Sequence, residues 1–126
     1  MGVLLLDPGF LGLVREYVRS VWALELLLFM RRDPERSWRA PELVRELRAS
    51  NAVVGESLSR FEIAGLVSRE DDGAWRFAPV SLLLHDFCDR LAEEYQTRPV
   101  AVINLIASRR RIQGLADAFK FKGEGE

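Results

Sequence analysis

The chain has 126 residues, of which 48% are apolar and 29% are charged, and its formal net charge at pH 7 is −1. This length and balance are typical of a single globular domain and argue against intrinsic disorder. Because the net charge is close to zero, the chain as a whole is not a polycation that binds nucleic acid through bulk charge. Any such binding needs a local basic surface.

The cysteine content and the apolar runs narrow the cellular setting. The one cysteine, Cys88, cannot form a disulfide within the chain. One cysteine and one histidine, His85, are too few ligands for a typical four-ligand zinc site. The longest apolar runs, at 3–6 and 26–30, fall well short of the roughly 20 residues of a membrane span, and no basic region precedes the first. We therefore expect a cytoplasmic protein without a signal peptide, membrane segment, metal or other cofactor.

The first predicted element is helical and covers Phe10 to Met30. Apolar residues recur at helical spacing in its first half, and Asp7-Pro8 supplies an N-cap and a proline at the first helical position. The part from Leu24 onward is apolar on nearly every face, which indicates a fully buried helix or a dimer contact. Arg31-Arg32 suits the end of this helix, and Asp33-Pro34 then stops it.

Two shorter helices are predicted after a single β-bridge at Ser37–Arg39. The second helix of the chain spans Ala40 to Ala49. The third begins at the cap Ser50-Asn51 and runs to about Ala64, and Gly65 closes it. The apolar stripe of this third helix consists of Val54, Leu58 and Phe61.

Two short strands are predicted next, at Leu66–Arg69 and Ala74–Phe77. The residues between them include Asp72-Gly73, a dipeptide that favours a tight hairpin turn. The sequence therefore predicts a small β-hairpin directly after the third helix.

Two more helices are predicted, from about Val80 to Gln96 and from Val100 to Ser108. The second of them is apolar almost all round. A basic trio, Arg109–Arg111, and an apolar set ending at Phe119 follow, and residues 123–126 are expected to form a frayed tail. The apolar stripe of the longer helix consists of Leu84, Phe87, Cys88, Leu91 and Tyr95, with Leu83 beside it.

A run from the second helix to the hairpin carries a resemblance to a known family. Its residues are Pro41–Leu47, the stripe Val54, Leu58 and Phe61, then Gly65-Leu66-Val67 and Asp72–Pro79. This run resembles the winged helix-turn-helix domain of MarR-type and related bacterial transcriptional regulators. The resemblance implies a mainly α fold with a small β-hairpin, extended by additional N- and C-terminal helices.

The resemblance also implies how the chain is organised. An N-terminal helical extension at 1–17 precedes a winged helix-turn-helix domain at 18–79. The C-terminal helices at 80–122 would then mediate dimerisation, and 123–126 would be a flexible tail.

The function that the resemblance implies is that of a DNA-binding transcriptional regulator. Its recognition helix, at about 51–64, would enter the major groove of duplex DNA, and its wing, at about 66–78, would lie near the minor groove. The implied partners are double-stranded DNA and a second copy of the chain.

Side chains of the recognition helix and its neighbours are the candidate DNA contacts. Arg60 can form a bidentate contact with guanine, Asn51 can reach adenine, and Ser57 can contact bases. The candidate phosphate contacts are Arg39, Arg48, Arg69 and Arg76.

The acidic wing tip supports an alternative hypothesis. Glu70, Asp71 and Asp72 would repel phosphate where a wing approaches DNA. Winged helices also serve as docking modules for proteins. The alternative is therefore a winged-helix protein–protein interaction module with little or no DNA binding and with a protein partner.

The two segments that are apolar nearly all round, 24–30 and 100–107, exceed what one small domain comfortably buries. We therefore predict a homodimer that is held by these helices. The candidate interface residues are Leu24, Leu28, Leu91, Tyr95, Val102, Ile106 and Phe119.

No motif in the sequence indicates catalysis, and we do not expect an enzyme. The glycines of Gly9–Gly12 lack the Lys-Ser/Thr that follows in a phosphate-binding loop. His85 is expected at the surface or an interface. Cys88 falls on an apolar stripe, which predicts a buried packing residue instead of a redox-sensing thiol.

Overall fold

A computed structural model describes residues 7–107, and residues 1–6 and 108–126 lie outside the described residues. Within 7–107 the protein is mainly helical, with one two-stranded antiparallel sheet. The predictions for Arg109–Arg111, Phe119 and 123–126 fall outside this range. The elements are α1 (Pro8–Tyr17), α2 (Val21–Arg31), α3 (Ala40–Leu47), α4 (Asn51–Ala64), β1 (Val67–Arg69), β2 (Trp75–Phe77), α5 (Leu82–Thr97) and α6 (99–107).

The first predicted helix is in fact two helices, so its predicted continuity is wrong. The predicted start is confirmed, because the Asp7 carboxylate accepts the Gly9 backbone N–H at 2.9 Å and Pro8 is the first residue of α1. The chain then becomes extended at Val18, and the Ser20 hydroxyl caps α2. Ser20 is the sequence signal for the break, because a serine there offers an N-cap to the apolar run that follows.

Both predicted ends of α4 are confirmed. The Ser50 hydroxyl accepts the Val53 backbone N–H at 3.1 Å. Gly65 has a φ of 81°, a conformation that suits glycine, and a Cβ there would lie 2.6 Å from a methyl carbon of Val80. The Val80 N–H donates to the Gly65 carbonyl at 2.9 Å. The end of α4 is therefore tied to the segment that leads into α5.

The predicted hairpin and bridge are also confirmed. β1 pairs with β2 in the register Val67 to Phe77 and Arg69 to Trp75. Gly73 has a φ of 88° in the turn, in agreement with the Asp-Gly signal. Trp38 forms the bridge, because its backbone N–H and carbonyl each pair with Trp75 at 2.7 Å. The hairpin is thus fixed to the segment between α2 and α3.

The helix α2 lies at the centre of the core and contacts α3, α4, β2 and α5. This position explains why its sequence is apolar on nearly every face. Residues of its neighbours close around it and are buried. They are Leu43 from α3 and members of the two predicted stripes, namely Val54, Leu58 and Phe61 from α4 and Leu84, Phe87, Cys88 and Leu91 from α5.

Most candidate dimer residues belong to this core, and their assignment as an interface is corrected here. A side chain that its own chain already covers has no area left to bury against a second copy. Tyr95 is half-buried, and Phe119 lies outside the described residues. Leu24, Leu91, Val102 and Ile106 are 0–2% exposed and Leu28 is 9% exposed.

The helix α5 begins two residues later than predicted. Ser81 is its N-cap, and the Ser81 hydroxyl accepts the Leu84 backbone N–H at 3.2 Å. Leu83, predicted beside the buried stripe, is 68% exposed. None of the helices within 7–107 is both long enough and apolar enough to cross a membrane.

Candidate interaction surface

The outward face of α4 is defined here by Ala52, Glu56, Ser59 and Ile63. Their spacing of four, three and four residues places them on one side of the helix, opposite the buried stripe of Val54, Leu58 and Phe61. All four are exposed, and Ile63 is 87% exposed. This face therefore presents one carboxylate, one hydroxyl and a large apolar side chain.

The three candidate base contacts are not on this outward face. Ser57 is only 7% exposed because it lies on the core side of α4, so its assignment as a base contact is corrected. Asn51 is exposed in the first turn of α4. Arg60 lies on the flank towards α1, where it lines a shallow depression with Glu16 and Tyr17. The three residues do not form one reading surface.

Two of the four candidate phosphate contacts are already engaged by acids of the hairpin. Arg39 donates to the Asp72 carbonyl oxygen at 3.1 Å and to its carboxylate at 3.3 Å. Arg76 Nε lies 4.0 Å from a Glu70 carboxylate oxygen, which is an ion pair but too long for a hydrogen bond. Glu70 also accepts a hydrogen bond from the Ser37 hydroxyl.

The other two candidate phosphate contacts are exposed and belong to different elements. Arg48 is the C-cap of α3, with a φ of 54°. The Arg69 guanidinium carbon lies 5.3 Å from the centre of the Trp75 ring, within the range of a cation–π contact. Arg69 lines one cleft together with Arg39.

The helix–helix–hairpin unit carries a small negative charge. Residues 39–77 contain six arginines, no lysine and seven acidic side chains. A surface that binds duplex DNA is normally basic, because lysine and arginine side chains neutralise the phosphates and supply much of the affinity. The sequence pattern showed the acids at the hairpin tip, but the ion pair between Arg39 and Asp72 joins residues 33 positions apart and needed the structure.

A cleft of about 490 Å³ lies between the start of α3, the middle of α4 and the hairpin. We call it the helix–hairpin cleft. Its α4 side includes two small residues, Gly55 and Ser59, and its hairpin side includes Trp75. Its charged lining residues are Arg39, Glu62 and Arg69. Sequence reasoning missed this cleft because its walls come from three separate elements.

A second exposed feature is the α5 apolar patch, defined by Val80, Leu82 and Leu83. These side chains are 76%, 82% and 68% exposed. Leu83 also lines a cleft of about 340 Å³ between α1 and α5, together with Phe10 and Leu13. An apolar group of this kind is typical of an interaction site.

The titratable groups of α5 include one exposed cluster and one buried thiol. His85, Asp86 and Asp89 have ligand atoms within 4.8 Å of one another, but Arg31 holds the Asp89 carboxylate at 2.7 Å. Cys88 is buried, as predicted, and burial raises the pKa of its thiol to about 12. The thiol therefore stays protonated at neutral pH, and a protonated thiol is a poor nucleophile.

No family model matches the chain, and no curated protein or solved structure is significantly similar to it. The function therefore has to be inferred from the side chains within 7–107. The features that bear on it are the outward face of α4, the helix–hairpin cleft and the α5 apolar patch.

Proposed function

We propose that this chain is a non-catalytic, cytoplasmic winged-helix module that docks a protein partner through the outward face of α4 and the adjacent hairpin. The order of α2, the bridge, α3, α4 and the hairpin supports the winged-helix part of the proposal, because the resemblance to MarR-type regulators implies this order. The single buried cysteine supports a reducing compartment.

One observation carries the docking proposal: the outward face of α4 has Ile63 at 87% exposure and Glu56 as its charged residue. In a DNA-reading winged helix this face would lie in the major groove, near phosphates. A carboxylate there would repel them, whereas a large exposed apolar side chain is typical of a protein contact. The same face therefore suits a protein better than a duplex.

A second candidate is the DNA-binding regulator that the resemblance implies. Exposed Arg48 and Arg69 favour it, because both belong to elements beside α4 and both can reach a phosphate. Displacing Asp72 from Arg39 would supply a further cation at modest cost, since such an exposed pair contributes at most about 1 kcal/mol.

Binding of the purified chain to mixed-sequence duplex DNA, measured against salt concentration, tests the proposal. We expect no binding at near-physiological salt. At low salt we expect at most weak binding, with a slope that corresponds to fewer than about two phosphate contacts. Tight binding with a slope of several units, reduced in Arg48→Glu and Arg69→Glu, would contradict docking and establish the second candidate.

We also propose that the chain forms a homodimer, with the α5 apolar patch as its interface in place of the buried leucines. Exposure of Val80, Leu82 and Leu83 supports this proposal. Light scattering at micromolar concentration should give a dimer, and Leu83→Glu should convert it to a monomer. Trp22→Glu is the matched control, because Trp22 is also apolar and 47% exposed. A wild-type monomer would contradict the proposal.

A further inference from the structure

We infer that the helix–hairpin cleft binds an acidic peptide segment of the partner protein, with carboxylates of the segment held by Arg39 and Arg69. This inference rests on the proposed docking function and specifies the chemistry of the partner. It follows from the empty space in the cleft and from the two arginines that line it.

The space comes from two small residues on α4. Gly55 and Ser59 are one helical turn apart and both line the cleft. A Cβ at Gly55 would meet no atom within 4 Å. The volume of about 490 Å³ is in the usual range of about 300–1,000 Å³ for sites that hold a ligand. The cleft therefore has room for several side chains of a bound segment.

The arginines supply the charge complementarity. Arg39 stands at the N-cap of α3 and Arg69 at the end of β1, and both line the cleft. Asp72 already places a carboxylate on Arg39. Their side chains are 57% and 63% exposed, so solvent screens this ion pair and a carboxylate from a partner can replace Asp72.

The two large apolar residues of the cleft leave little surface for a bound segment. Leu58 and Trp75 line the cleft, but they are only 1% and 9% exposed, and backbone pairing with Trp38 holds Trp75 in place. The Arg69 guanidinium lies over the Trp75 ring, which keeps this cation at the cleft. The arginines therefore decide which segment binds, and an acidic segment matches them.

A peptide fits the cleft better than a nucleic acid does. Glu62 lines the cleft and Glu56 lies on the outward face of α4, so a phosphate backbone along α4 would meet both carboxylates. A peptide can place its acids at the arginines, and its backbone N–H groups can donate to Glu62. The carboxylate that hinders a duplex is therefore compatible with a peptide.

Fluorescence anisotropy of the full chain with two labelled peptide pools tests this inference. Both pools carry the same uncharged polar residues at alternate positions, with glutamate between them in one pool and lysine in the other. We expect the acidic pool to bind at least about tenfold more tightly than the basic pool. Gly55→Leu adds a side chain to the cleft at a position where a Cβ meets no atom within 4 Å, and Arg69→Glu reverses one charge. Each should weaken binding by about tenfold or more.

Matched variants separate cleft filling from other effects. Gly12→Leu adds the same side chain to a helical glycine on α1 with open space around it, and Arg15→Glu reverses an exposed charge on α1. Both should bind the acidic pool as the wild type does. Urea unfolding of every variant identifies any variant that fails to fold. Arg69→Gln, a milder change in the same cleft, then takes the place of that variant.

Several results would overturn the inference. They are no binding of the acidic pool, equal binding of the two pools, and unchanged binding in Gly55→Leu. Duplex DNA that binds the wild type and is lost in both cleft variants would assign the cleft to nucleic acid, and the proposed docking function would fail with it. If the acidic pool does not bind, but Ile63→Asp still abolishes binding of a protein partner, the proposed docking function stands and only this inference is wrong.

Discussion

The helices α2 and α4 pack against each other in one core, but they differ in how much surface they leave exposed. Six of the eleven residues of α2 are buried, whereas four of the fourteen residues of α4 are buried. Most apolar side chains of α2 are covered by their own chain, whereas Ile63 of α4 is 87% exposed. An apolar helix is therefore evidence for an interface only where its residues stay exposed after folding.

The largest effect that tests this comparison is expected in α2. Leu27 is fully buried, so Leu27→Ala removes apolar contacts and leaves a cavity. We expect the free energy of unfolding to fall by about 2–5 kcal/mol. Urea denaturation followed by circular dichroism measures it. A loss below about 1 kcal/mol would mean that α2 is not the central helix of the core.

A smaller effect is expected at the end of α4. Gly65→Ala forces a side chain into a positive φ and against Val80, and should cost about 1–3 kcal/mol. Gly55→Ala is the control on the same helix, because its Cβ has open space. This control should leave stability unchanged or raise it by up to about 1 kcal/mol. Equal losses in the two variants would contradict the described C-cap.

The hydrogen bond between Glu25 of α2 and Tyr95 should contribute less to the free energy of unfolding. The Tyr95 hydroxyl donates to the Glu25 carboxylate at 2.5 Å, and Tyr95→Phe should cost about 1 kcal/mol at neutral pH. This hydrogen bond raises the pKa of Tyr95 from 10.0 to about 12.

A raised pKa in the folded state gives the pH dependence its sign. The contribution of the Tyr95 hydroxyl is fully present below pH 10 and is lost as the pH rises to about 12. The difference in unfolding free energy between the wild type and Tyr95→Phe should therefore shrink over this range. A difference that stays constant from neutral pH to about 12 would show that the hydrogen bond does not form.

The smallest effect on stability is expected on the outward face of α4. Because Ile63 is 87% exposed, Ile63→Ser should change the free energy of unfolding by no more than about 0.5 kcal/mol. The same substitution should weaken binding of a protein partner, since Ile63 is the large apolar side chain of this face. A clear loss of stability would show that Ile63 packs within its own chain.

The local features of the fold could be predicted from the sequence. Asp7, Ser50 and Gly65 act within a few residues of their own position, so their capping roles follow from residue type and spacing. The stripe of Val54, Leu58 and Phe61 follows from helical periodicity alone.

The features that depend on distant residues could not be predicted. Apolar periodicity marks Leu24 and Leu91 as buried, but it does not say whether the same chain or a second copy covers them. The basic residue Arg39 resembles a phosphate contact in the sequence, yet Asp72 engages it in the fold. Similarly, the helix–hairpin cleft combines residues of three elements, and no sequence motif marks it.

The most direct test of the docking proposal is photo-crosslinking from position 63 in living cells. A photoreactive amino acid replaces Ile63, and the same residue at the exposed position Glu35, outside the proposed docking surface, serves as the control. The proposal predicts a discrete adduct with a protein from position 63 and none from position 35. An adduct with DNA from position 63, or no adduct at all, would contradict it.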